Sequence, residues 1–202
     1  MLFSTEWPQF YTATILSWQH LLQQNKYKDI IIESLQFCVK ERKVKLYAFV
    51  IMSNHIHLIW QPLHPTTKVK LQHSFMTYTA QKIKEDLENC NADLLENFKV
   101  NVKDRMYQIW ERNALTVDLF TTQVFHQKIT YVHNNPVKAG LCTNAEDYNY
   151  SSAGFYTTGI DEFKMLTHYD DSNFCFYECL NKLLLVRLTS YLPRTPTTAA
   201  LK

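Results

Sequence analysis

A chain of 202 residues with 46% hydrophobic and 20% charged residues carries enough apolar material for one buried core, which excludes a disordered chain. A formal net charge of +2 excludes a broad nonspecific polyanion binder, since affinity for a phosphate backbone scales with the number of cationic contacts. Only Gly140, Gly154 and Gly159 occur, so no glycine-rich phosphate loop or dinucleotide fingerprint is present, and no nucleotide cofactor is expected.

In chain order, QFYTATILSW (9–18) is β-branched and aromatic and reads as a first strand. YKDIIIESLQFCVKER places Ile31, Leu35, Cys38 and Val39 at helical spacing. VKLYAFVIM and HIHLIWQP read as two strands joined in a hairpin at Ser53-Asn54. KLQHSFMTYTAQKIKEDLE is a second amphipathic helix, followed by a polar connection with a short helix near DLLENF. MYQIWERNALTVDLF is strand material, and TTQVFHQKITYVHN a third helix capped by Thr121 or Thr122. This order predicts an α+β fold: a ferredoxin-like antiparallel sheet with flanking helices, over residues 1–170. Residues 171–202 form a C-terminal extension, expected to be helical through CFYECLNKLLLVRLTSYL and mobile in PRTPTTAALK. Glu178, Lys182 and Arg187 interrupt its apolar run short of the ~20 residues a membrane span needs, so no membrane partner is expected. Five cysteines without a CxxC pair, and no apolar leader before Trp7, suggest a reducing, cytoplasmic setting.

Chemistry concentrates at two places. His55 and His57 alternate along a strand and therefore project from one face, with Ile56 and Leu58 on the other. On the third helix Tyr131 and Asn135 lie four residues apart and share a face, and Pro136 is expected to end the helix there. Phe125, Ile129 and Val132 would seat that helix on the sheet. His55, His57 and Asn135 would form a nitrogen, nitrogen, oxygen ligand set suited to Mg²⁺ or Mn²⁺, polarising a phosphodiester that the Tyr131 phenol attacks. A phenol ordinarily titrates near ~10, so the metal and Lys128, one turn away, are candidates to stabilise the phenolate. Plainer readings stand beside these: HxH as a packing pattern, the tyrosine as a rim residue, and HNNPVKAGL as a helix stop.

AFVIMSNHIHLIWQP resembles the histidine, hydrophobic residue, histidine strand of HUH endonucleases. YVHNNPVKAGLCTNAEDYNYSSA is similar to the C-terminal motif of REP-associated tyrosine transposases, which stand with the single-tyrosine transposases of small bacterial insertion sequences. The resemblance covers roughly Pro8 to Tyr169. It implies that His55, His57 and Asn135 bind the metal and that Tyr131 is the catalytic nucleophile. It further implies a nucleoid-associated enzyme that cleaves and rejoins single-stranded DNA at palindromic hairpins with an adjacent guide tetranucleotide, through a covalent 5′-phosphotyrosine. Relatives act as monomers or as homodimers that exchange the tyrosine helix. The expected DNA-binding residues are Lys68, Lys70, Lys82, Lys84, Phe75, Tyr78 and Lys128, as cationic groups with stacking aromatics.

Three rivals remain. A histidine-triad hydrolase would need a third histidine where Ile59 stands. A zinc hydrolase would need a third strong ligand, for which His64 and His73 lack diagnostic spacing and no HExxH exists. A noncatalytic DNA-binding protein of the same fold would have no need of the four intact catalytic positions.

Overall fold

A computed structural model describes residues 7–63 and 68–171, so the expected C-terminal helix and tail lie outside the described residues. The elements run β1 (Gln9–Thr14), α1 (Asn25–Lys40), β2 (Val44–Ile51), β3 (His55–Pro62), α2 (Lys68–Cys90), α3 (Ala92–Glu96), β4 (Lys99–Val102), β5 (Arg105–Tyr107), β6 (Leu115–Asp118), α4 (Thr122–Lys138) and α5 (Ala153–Thr158). Four strands form a sheet in the order β2-β3-β1-β6, with every neighbouring pair antiparallel. This is the order expected when a strand, helix, strand unit takes the next strand back between its own two. Among the described residues no helix is long and apolar enough to cross a membrane.

Helices cover both faces of the hairpin strands, which is why β2 and β3 read as near-continuous apolar runs. Ile56, Leu58 and Trp60 of β3 join Tyr11 and Ala13 of β1 in a core with Leu35 of α1 and Phe75, Ile83 and Leu87 of α2. The alternate residues turn the other way: Phe10, Val50 and Ile59 pack with Phe125, Ile129 and Val132 of α4. A bulge at Tyr47 shifts the β2 register, and Tyr47 and Ala48 both enter this second core.

β2 is an edge strand, and two later segments close its edge. Val50 bridges Ser151 and Leu46 bridges Leu166, while Ser152 Oγ accepts from the Phe49 N–H at 2.9 Å. His133 Nε2 lies 2.8 Å from the same hydroxyl and ties α4 to this closure.

Three boundaries differ from expectation. The first strand stops at Thr14, because Ile15 N–H bonds the Asn54 carbonyl and Ser17 and Trp18 then take φ of 54° and 57°. The stretch 106–120 divides into β5 and β6, and β5 pairs with the unexpected β4. Pro136 does not end α4. The helix runs two residues further and closes at Gly140, φ 70°, whose N–H bonds the Val137 carbonyl while Leu141 N–H bonds that of Pro136. That pair of bonds is a Schellman closure, and a left-handed glycine supplies the stop that the proline does not. The Thr121 cap was expected: its side chain accepts from Val124 N–H at 3.2 Å.

Phe125 is fully buried between α4 and β2, with its ring 5.6 Å edge-on from that of Tyr47. Phe125→Ala should lower the unfolding free energy by about 3–5 kcal/mol in a urea titration, and Val124→Ala, one residue away and more exposed, by under about 0.5 kcal/mol.

Candidate active site

The pleat of β3 puts His55 and His57 on the α4 face, with ring centroids 4.8 Å apart. Each imidazole is oriented by a neighbour. His57 Nδ1 lies 2.7 Å from Thr12 Oγ1, and His55 Nδ1 lies 2.7 Å from Asn54 Oδ1. A neutral ring that donates its Nδ1–H to such an oxygen keeps the Nε2 lone pair free, the arrangement found around metal-binding histidines.

Burial favours the neutral form of both rings. It lowers the His57 pKa to about 3, with the nearby charges of His55 and Lys128 acting in the same direction. His55 is lowered as well, mainly by burial and against an opposing hydrogen bond to Asn135.

α4 delivers the remaining groups. The Tyr131 ring lies 5.2 Å from that of His57 and 5.8 Å from that of Phe10, and Tyr131 is 39% exposed. The phenol is therefore accessible beside the imidazoles. Because α4 continues through Pro136, Asn135 keeps helical register one turn beyond Tyr131, where Nδ2 bonds the Tyr131 carbonyl at 3.0 Å. Lys128 Nζ sits 4.5 Å over the Phe10 ring and 5.5 Å from the Tyr131 ring centre. Lys138 Nζ stands 5.6 Å from that centre. The four expected catalytic side chains and Lys128 thus meet in one place.

Among the described residues no group of three His, Cys, Asp or Glu side chains could hold a metal. The donor set is two imidazoles and an amide, and the His55 ring lies within hydrogen-bonding reach of the Asn135 side chain, so nitrogen and oxygen donors converge as a hard divalent cation would need.

The other expected DNA-binding residues lie elsewhere. Lys70, Tyr78, Lys82 and Lys84 belong to α2, on the opposite face of the sheet. Lys82 pairs with Glu85 and Lys84 with Glu88 within the helix. Phe75 cannot stack on a base: it is 2% exposed and packs edge-on against Trp60. Lys68 opens α2, and its side chain is outside the described residues. Tyr78 and Lys70 remain exposed, beside Phe37 and Lys43 in a hollow between α1 and α2. Of the rival ligands, His73 also lies on α2, His64 is outside the described residues, and Ile59 is fully buried.

Phe10, Thr12, Asn54 and Lys138 belong to the site although the sequence reading missed them. Lys138 was within reach, since it falls two helical turns beyond Tyr131. Phe10 and Thr12 depend on strand pairing, in which Thr12 stands opposite His57.

No protein-family model matches the chain, and no curated protein matches it. Among solved structures it is similar to a REP-associated tyrosine transposase bound to a REP hairpin, with a TM-score of 0.57 and 16% identity over 86% of this chain and 93% of the other. A putative transposase from Deinococcus radiodurans R1 gives a TM-score of 0.44 and 11% identity over 66% of this chain and 94% of the other.

His133, like His57, is held neutral by burial, its pKa lowered to about 4. Below the ordinary value of about 6.5 the unfolded chain takes up protons that these folded imidazoles refuse, so stability decreases as the pH is lowered. In metal-free buffer the unfolding free energy should drop by about 2 kcal/mol per histidine between pH 7.5 and 5. His133→Gln should remove one histidine's share, about 2 kcal/mol, of that drop in urea titrations at several pH values. The fold of the hairpin-bound transposase, an α+β antiparallel sheet flanked by helices, is thus also the fold of this chain.

Proposed function

We propose that the protein is a metal-dependent single-stranded DNA endonuclease and strand transferase that cuts and rejoins DNA at hairpins through Tyr131. The observation that carries this reading is the half-exposed Tyr131 ring lying 5.2 Å from that of His57, whose ring in turn lies 4.8 Å from that of His55. A fold shared with a hairpin-bound transposase supports the choice of substrate. His55, His57 and Asn135 would hold Mg²⁺ or Mn²⁺, which when bound supplies Lewis-acid polarisation of the scissile phosphate.

Tyr131 Oη attacks phosphorus as the bond from phosphorus to the 3′ oxygen breaks. The departing strand leaves as a 3′ hydroxyl carrying the phenolic proton, and the 5′ phosphate stays on Tyr131. Lys128 and Lys138, with ammonium groups 5.5 and 5.6 Å from the ring centre, stabilise the phenolate and the charge on the phosphoryl oxygens. Rejoining reverses the step: a second 3′ hydroxyl attacks the phosphotyrosine and returns a proton to Tyr131. The covalent link conserves the phosphodiester energy, so no nucleotide cofactor is required. The protein would act as a monomer or a homodimer, in a cytoplasmic setting beside the nucleoid.

Labelled hairpin DNA with a single-stranded flank, incubated with the protein and Mn²⁺, should give an adduct that survives denaturing electrophoresis. Tyr131→Phe should give none, and His57→Ala should lose both the adduct and the Mn²⁺-induced rise in melting temperature. A wild-type protein that yields no adduct, or a Tyr131→Phe variant that still does, would overturn the reading.

A further inference from the structure

Trp18 stands at the end of the site nearest His55, and the proposed cleavage activity gives it no role. It is 61% exposed, and its ring centroid lies 6.0 Å from that of His55. Its backbone is unusual: Ser17 and Trp18 are consecutive non-glycine residues in the left-handed region, with φ of 54° and 57°. For a bulky residue this conformation is disfavoured and persists only where the surroundings enforce it.

The surroundings do enforce it. Ser17 N–H donates to Glu111 Oε1 at 2.8 Å, and Trp18 N–H donates to the Ile15 carbonyl at 2.9 Å. Asn54 Nδ2 reaches the Trp18 carbonyl at 3.4 Å while Oδ1 of the same side chain lies 2.7 Å from His55 Nδ1. One amide therefore fixes both the indole-bearing turn and the orientation of a candidate metal ligand. A strained turn held this firmly keeps a large apolar ring in solvent, where burial would otherwise stabilise it.

Beside the indole is an open hollow of about 480 Å³ lined by Thr14, Trp18, Gln108, Glu111, Arg112 and Asn113. An aromatic face with side-chain amides and a guanidinium is the chemistry that takes an unpaired nucleobase: stacking on the ring, edge hydrogen bonds to the amides, and phosphate pairing with the arginine. Arg112 is within 3.7 Å of Asp104, an exposed pairing that a phosphate can replace.

We propose that Trp18 and this hollow form a subsite that stacks one unpaired base of the single-stranded flank next to the scissile phosphate; the assignment rests on the DNA-cleavage reading. Stacking on a single aromatic accounts for roughly 5- to 100-fold in affinity. The test measures binding in the Tyr131→Phe background, where no cleavage intervenes, using a hairpin with a single-stranded flank and the same hairpin made blunt.

Trp18→Ala should weaken binding to the flanked hairpin by roughly 5- to 100-fold, Trp18→Phe by less, and neither should change binding to the blunt hairpin. Replacing flank nucleotides one at a time by abasic residues should reveal one position whose loss weakens binding to Tyr131→Phe but has no further effect when Trp18→Ala is added. Flank binding within twofold of the parent in Trp18→Ala would overturn the subsite, as would an equal loss for the blunt hairpin. The adduct assay reports separately. Adduct formation by wild type with unchanged flank binding in Trp18→Ala sinks the subsite alone, whereas flank binding that depends on Trp18 without any adduct sustains the subsite and sinks the cleavage reading.

Discussion

The site depends on the two-residue period of one strand. His55 and His57 face α4 only because Ile56, Leu58 and Trp60 face α1 and α2, and a slip of one residue would bury both imidazoles in the larger core. Three features oppose that slip. The Ser53-Asn54 turn fixes the hairpin, with the Met52 N–H bonded to the His55 carbonyl at 2.8 Å. β1 pairs along the whole of β3 up to Trp60, setting Thr12 opposite His57. The bulge at Tyr47 absorbs an extra residue in β2 and leaves the β3 register unchanged. The apolar positions of the strand therefore do chemical duty, because they hold the polar ones in place.

A second constraint is helical continuity across Pro136. A proline inside a helix removes one backbone hydrogen bond and crowds the preceding turn. Here it falls in the last turn, where few later bonds depend on it, and the Gly140 closure satisfies the carbonyls that remain. The result is that Tyr131, Asn135 and Lys138 share one rigid scaffold. Phe125, Ile129 and Val132, on the buried side of the same helix, fix the height of that scaffold above the sheet.

What the sequence revealed follows from how far each signal reaches. The hairpin and the helices were legible because they rest on period and turn chemistry, which are local. The HxH pair and the Tyr131 to Asn135 spacing were legible for the same reason. The α2 lysines lie away from the histidines, because a cluster in sequence says nothing about the face of the sheet its helix covers, and carboxylates at i+3 and i+4 pair two of them. Phe75 belonged to the apolar stripe of its own helix, and the sequence offers no sign that Trp60 waits on the sheet below. The turn at Ser17-Trp18 was illegible for a different reason. Left-handed backbone is ordinarily announced by glycine or asparagine, and neither is present, so the conformation follows from Asn54 and Glu111, which are distant in sequence.

Electrostatics joins these parts. Burial keeps the His57 ring from taking a proton, and the nearby Lys128 charge adds to that effect. An ammonium that disfavours a charged imidazole equally disfavours any cation the imidazoles might bind. An anion bound between such positive groups would offset both, and Lys138, 5.6 Å from the Tyr131 ring centre, adds to the same positive field. A phosphodiester carries one negative charge per linkage and offers two free oxygens, enough to meet a cation on one side and a lysine on the other. The open edge beside Tyr131 is where such a group would have to enter, because Val132 and Ile129 close the opposite side of the helix against the sheet.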